Sequence, residues 1–204
     1  MHRITQRFSP LRRFRSPKRT GLLLAGAVAL VFSLGTAASA SAEPVYWIVN
    51  VNSGKALGPH KHSKGENYWI QQMTYFNGSG GAHHWKISRS GNILTLENRH
   101  SHKCISSVDH EAHYPPAANG TPAIQRSCAF DPHPHTQRHQ AQKWRVSPVS
   151  NLWAGKPFTL RNLRNNKCLE IYDFSFAENA DTAVWDCHGL ANQQWRLVYA
   201  GNAG

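Results

Sequence analysis

Two side-chain amides and an indole stand together near the C-terminus, in ANQQWRLV (Ala191–Val198). Weaker echoes lie upstream, in QAQKWRVS (Gln140–Ser147) and GAHHWKIS (Gly81–Ser88). In each, a tryptophan (Trp85, Trp144 or Trp195) is followed by a basic residue and then an apolar one. Amides donate and accept hydrogen bonds, and an indole offers a large apolar face with one N–H donor. Four cysteines add a second kind of chemistry. An even cysteine count in an exported chain reads as disulfides. Of the three pairings, sequence proximity favours Cys104–Cys128 and Cys168–Cys187. Each closes a loop of about twenty residues, a constraint of roughly 3 kcal/mol on the unfolded chain.

Histidines form a third group, in HKH (His60–His62), HSH (His100–His102), DHEAH (Asp109–His113) and DPHPHTQRH (Asp131–His139). Such clusters suit divalent metals or a charge change near neutral pH. No spacing matches a helical zinc motif, however, and no cysteine is spare. The expectation is therefore exposed loop histidines with no metal and no cofactor, His133, His135 and His139 being the first ligands to suspect otherwise. No nucleophile elbow, His-Glu-x-x-His pair or phosphate-cradling glycine loop occurs. The chain is not expected to be an enzyme.

The elements that must position these groups are short. VYWIVNV, YWIQQM, NILTLEN, PFTLRNL, TAVWDC and QWRLVYA favour strands, with Gly, Asn, Ser and Pro between them. That composition predicts an all-β fold. Three segments begin alike: YWIVNVNSGKAL at Tyr46, LTLENRHSHKCI at Leu94 and FTLRNLRNNKCL at Phe158. Each runs apolar strand, Asn, turn, Lys, then Cys or Ala with an aliphatic. The repeats span about 45–90, 91–150 and 156–200. The second carries an extra loop, AFDPHPHTQRHQ, and the first lacks both cysteines, with Ala56 at the first. One unit is too small to bury its own apolar face. Three packed about a pseudo-threefold axis share a core, and Trp85, Trp144 and Trp195 are assigned to it.

The first 42 residues hold seven Lys/Arg and no acid, then an apolar run ending in ASASA. This reads as a secretory signal peptide cleaved after Ala42, leaving a domain at 43–204 and a secreted, extracellular product. The chain's net charge is +12; removing the leader's +7 leaves +5. No basic block tracks a phosphate backbone, so neither nucleic acid nor, after cleavage, a membrane is expected as partner.

KCLEI, TAVWDC and ANQQW together resemble the ricin B-type lectin family, whose repeats end in Gln-x-Trp. The likeness covers about Glu43 to Ala200 and is strongest in repeat three. It implies a β-trefoil and a shallow glycan pocket. On that resemblance, Glu170 takes the place of the family's acid, normally Asp, Trp185 stacks on the sugar, and Asn192 and Gln193 supply amides. Ala183 stands where a further glutamine is usual, and Asp173 is a nearby second acid. Sugars present a C–H face and a rim of hydroxyls, which aromatics, carboxylates and amides complement. Repeat two has Ser106, Arg126 and Ala141 at the key places, with Gln125 and Gln142 retained. Repeat one has Gly58 and Ala82–His83. The expected role is a secreted carbohydrate-binding protein whose partner is a glycan or polysaccharide. The alternative is a protein-interaction trefoil, such as a toxin's binding subunit or a protease inhibitor, that has lost sugar binding.

Overall fold

A computed structural model describes residues 42–75, 81–107, 117–129 and 136–202. The proposed leader, except Ala42, lies outside them, as do His110, His113, His133 and His135. Among the described residues twelve strands form: β1 (Pro44–Asn50), β2 (Ala56–Pro59), β3 (Ile70–Met73), β4 (Trp85–Ser90), β5 (Ile93–Asn98), β6 (Lys103–Ser107), β7 (Thr121–Ser127), β8 (Trp144–Ser147), β9 (Thr159–Asn162), β10 (Cys168–Ile171), β11 (Thr182–Trp185) and β12 (Trp195–Asn202). Among the described residues one short α-helix, α1 (Gln137–Ala141), lies at the end of the extra loop of repeat two, its N-terminus capped by Thr136 accepting from His139 N–H.

The closing tryptophans organise a barrel. Each pairs with the start of its own repeat: Trp85 with Tyr46, Trp144 with Leu94 and Trp195 with Phe158. The antiparallel β12–β1 pair and the β4–β5 and β8–β9 hairpins complete it. The remaining hairpins, β2–β3, β6–β7 and β10–β11, meet through Trp69↔Ile124, Pro122↔Ala183 and Asp181↔Gln71. These three contacts are equivalent under one threefold operation. The fold is a β-trefoil.

Its core holds Trp85, Trp144 and Trp195 fully buried, with Ile48, Leu57, Leu96, Ile105, Leu160 and Leu169 among them. A buried indole N–H needs an acceptor. Each finds the same one: Leu57 O at 2.9 Å, Ile105 O at 3.1 Å and Leu169 O at 3.0 Å.

The repeated Asn and Lys have equally regular duties. Asn50, Asn98 and Asn162 turn their amides onto the carbonyls of Asn192, Ala82 and Ala141, binding each strand end to the turn before a closing tryptophan. Their Oδ1 atoms accept from backbone N–H groups two residues on. Lys55, Lys103 and Lys167 clasp neighbouring repeats. Lys55 pairs with Glu178 and Lys103 with Glu66, at 2.7 and 2.8 Å. Lys167 reaches Asn119, at the position equivalent to those glutamates, and Asp186. Both disulfides join the cysteines nearest in sequence, Cys104–Cys128 and Cys168–Cys187.

Gln125 differs from its sequence reading. The strand register sets it opposite Ile105, so its counterpart in repeat three is Val184, not Ala183. It is wholly buried and grips the carbonyls of Ser63 and Gly65 in repeat one. Its equivalent Gln72 grips Ser175 and Ala177 in repeat three. These glutamines are inter-repeat ties.

Candidate glycan site

Repeat three places Glu170, Asp173 and Trp185 around one open pocket of about 390 Å³, while Asn192 and Gln193 are buried and are not among its lining residues. The β10–β11 register sets Glu170 opposite Ala183 and Cys168 opposite Trp185, so the acid lies inside and the indole at the mouth. Cys168–Cys187 pins the chain just beyond Trp185. Tyr172 and Phe174, both exposed, form the lip with Asp173 between them. Asp173 and Phe174 adopt left-handed φ values of 52° and 51°, unusual for such residues. The first repeat holds that lip: Gln72 bonds the carbonyls just after it and Asn52 bonds Phe174 O at 3.0 Å. From the second repeat, Gly120, at φ +84°, brings its backbone against the Trp185 and Tyr172 rings.

Glu170 is only 3 % exposed. Its Oε2 accepts from Gln193 Nε2 at 2.9 Å and faces His188 Nε2 at 3.4 Å. Burial pushes the carboxyl above the usual carboxylate range, against Gln193, His188 and Asn192, which favour its charged form. His188 Nδ1 accepts from Leu190 N–H, so the neutral ring carries its proton on Nε2, toward Glu170. His188, Leu190, Tyr172 and Phe174 were not singled out from the sequence. The aromatic–Asp–aromatic run after KCLEI was the available signal.

The two amides have different duties. Gln193 is fully buried and its capacity is spent: Nε2 on Glu170 and Asp186 O, Oε1 on the N–H groups of His188 and Gly189. It positions Glu170. Asn192, 1 % exposed, donates to Ile171 O at 3.2 Å, while its Oδ1 is buried without a hydrogen-bond partner. An unmet buried acceptor carries a cost and stands ready for a donor.

Among the described residues the other two repeats lack this arrangement. In repeat one, a side chain at Gly58 would strike His83 and Met73, each at 2.6 Å, so the acid's space is filled. In repeat two, Ser106 turns its hydroxyl onto Ser107 O, and Arg126 lies near Glu66. Gln142 is spent on Ala129 N and Ser127 O. Among the described residues no group of three His, Cys, Asp or Glu is placed to hold a metal ion.

A family profile described as "Ricin-type beta-trefoil lectin domain-like" matches residues 31–126 and 140–204, well over half of the chain. The chain belongs to that family. No curated protein matches it. Among solved structures, this ricin-type trefoil is similar to the designed threefold-symmetric protein ThreeFoil, with 25 % identity and a TM-score of 0.62 over 76 % of this chain and 97 % of that one. It is also similar to the C-half of the earthworm R-type lectin in complex with GalNAc, with 16 % identity and a TM-score of 0.55 over 76 % and 98 %. The exo-β-1,3-galactanase of Clostridium thermocellum gives 20 % identity and a TM-score of 0.61, but this chain spans only 30 % of its length.

Proposed function

We propose that this ricin-type trefoil is a secreted, non-enzymatic carbohydrate-binding protein with one working site, in repeat three. The observation that carries the reading is the pocket in which the buried acid Glu170 lies with the exposed rings of Tyr172 and Phe174 and the partly exposed indole of Trp185. In this reading Trp185 stacks on the C–H face of a sugar. Glu170 and Asn192 accept from adjacent hydroxyls, and Gln193 holds Glu170 in place. Two disulfides suit an oxidising compartment. No described helix is long and apolar enough to cross a membrane. A single shallow site binds weakly unless copies are joined.

A glycan-array screen of the disulfide-intact protein beside Trp185→Ala tests the reading. Hits that vanish in the variant while the fold persists support it. Hits retained by the variant refute the site, and a blank array with a co-purifying protein would favour the interaction role.

A further inference from the structure

A second cavity, of about 400 Å³, opens beside the β4–β5 hairpin and shares no residue with the repeat-three pocket. Cross-strand pairing places Ser88 opposite Thr95 and Ser90 opposite Ile93, so these four side chains share one face of the hairpin. Arg89 also lines the space. The facing wall is His139 of α1 with Lys143, just ahead of Trp144. Among the described residues the lining thus gathers three hydroxyls, an ammonium and an imidazole, with no carboxylate, and Arg89 borders it from the neighbouring strand position.

Lys143 is the unusual member. It is half-buried, and its Nζ donates to the hydroxyl of Thr95, a neutral acceptor. Burial pulls its ammonium below the usual lysine range. An ammonium has three donors, and the Thr95 bond uses one.

The threefold symmetry supplies an internal comparison. At the corresponding place beside the β12–β1 pair, Trp47 stands where Thr95 does and His84 where Lys143 does. There the indole fills the space, packing on Tyr75 and His84 at 4.8 and 5.7 Å between ring centres. In repeat two the same space is open, and the indole's place is taken by a hydroxyl and the imidazole's by a lysine. Repeat three has Thr159 and Gln194 at the same two places, so the hydroxyl recurs and the lysine is particular to repeat two.

The geometry points to a second binding site, between the β4–β5 hairpin and α1, that takes an oxyanion: the sulfate, phosphate or carboxylate of an acidic ligand. Lys143 and Arg89 supply charge, and Ser88, Ser90 and Thr95 supply neutral donors around the anion. Ile93 and Leu163 form its apolar margin. Such a site would let the protein hold an acidic polysaccharide at a point unrelated to the repeat-three pocket.

Backbone-amide NMR titrations of the exported domain with sodium sulfate, sodium phosphate and sodium glucuronate test this, at ionic strength held constant with chloride. Saturable shifts confined to residues 88–95 and 139–143 are expected, and the anion with the lowest dissociation constant identifies the source. Lys143→Met should weaken that anion roughly tenfold or more, the scale of one hydrogen bond to a charged group. Because Lys143 is half-buried, Arg89→Gln at the cavity serves as a second variant that leaves the core alone, and it should weaken binding severalfold. Non-saturating shifts spread over all surface cations would overturn the site. So would wild-type affinity in folded Lys143→Met and Arg89→Gln. Neither outcome depends on whether repeat three binds glycan.

Discussion

Glu170→Gln separates what the fold needs from what a ligand would use. The substitution keeps the side chain's shape and removes its charge. The carboxyl is buried, and burial raises its pKa, so the charged form is a cost to the folded state at neutral pH. Each unit of that rise is worth about 1.4 kcal/mol of stability recovered when the charge is removed. Against this, the bond from Gln193 Nε2 weakens to a neutral one, and His188 must face an amide in place of a carboxylate, losses of about 1 kcal/mol each. The variant should therefore lie within about 1 kcal/mol of the wild type at pH 7. The pH dependence gives a sharper signature. A carboxyl with a raised folded pKa contributes stability below its unfolded pKa and loses it as pH rises through the folded value. The wild type should lose stability relative to Glu170→Gln as pH climbs above about 4.5, and the gap should level off at higher pH. Glycan affinity should meanwhile fall about 10- to 150-fold, the loss of one charge-assisted hydrogen bond. Urea midpoints across pH and glycan titrations read both effects. A variant destabilised by more than about 3 kcal/mol, or one with unchanged affinity, would refute the reasoning.

The same physics makes other predictions. Trp144→Ala should cost about 3–5 kcal/mol in urea unfolding, since a fully buried indole bonded to Ile105 O is lost and a cavity remains. Glu178 behaves oppositely to Glu170: Lys55 and Thr74 hold its pKa at about 2. It should stabilise the fold above about pH 4.5 and lose that contribution as pH falls toward 2, which a wild type minus Glu178→Gln difference in midpoints would trace. Because its side chain is half-exposed, the plateau should stay below about 1 kcal/mol. Replacing Cys168 and Cys187 by Ser should cost roughly 3 kcal/mol and reduce glycan retention together, because the bridge pins the chain beside Trp185.

Much of the trefoil could be read from the chain because its signals repeat locally. The Trp-basic-apolar copies, the Asn after each first strand and the Lys before each Cys or Ala mark three units. The structure gives each set one duty. The site was less legible, since its parts act across repeats. Gln72 and Asn52 hold the Tyr172–Phe174 lip from more than a hundred residues away, and nothing local marks them. Gln193 reads as a sugar-facing amide until its four hydrogen bonds are seen to be spent inside the protein. Gln125 reads one strand position away from where the register sets it, because a shift of one residue turns a side chain to the opposite face. The Lys143 cavity escaped notice for a different reason. The residues before the closing tryptophans, His84, Lys143 and Gln194, follow no shared pattern, and only the fold shows that Lys143 stands in the place of the His84 ring.

The central claim is that repeat three binds a sugar against Trp185. The most direct test is a glycan titration of the folded, disulfide-bonded protein and of Trp185→Ala, following tryptophan emission and retention on the best array hit. Saturable binding by the wild type, lost in a variant with an unchanged urea midpoint, is the predicted result. Equal binding by the two proteins would contradict the account.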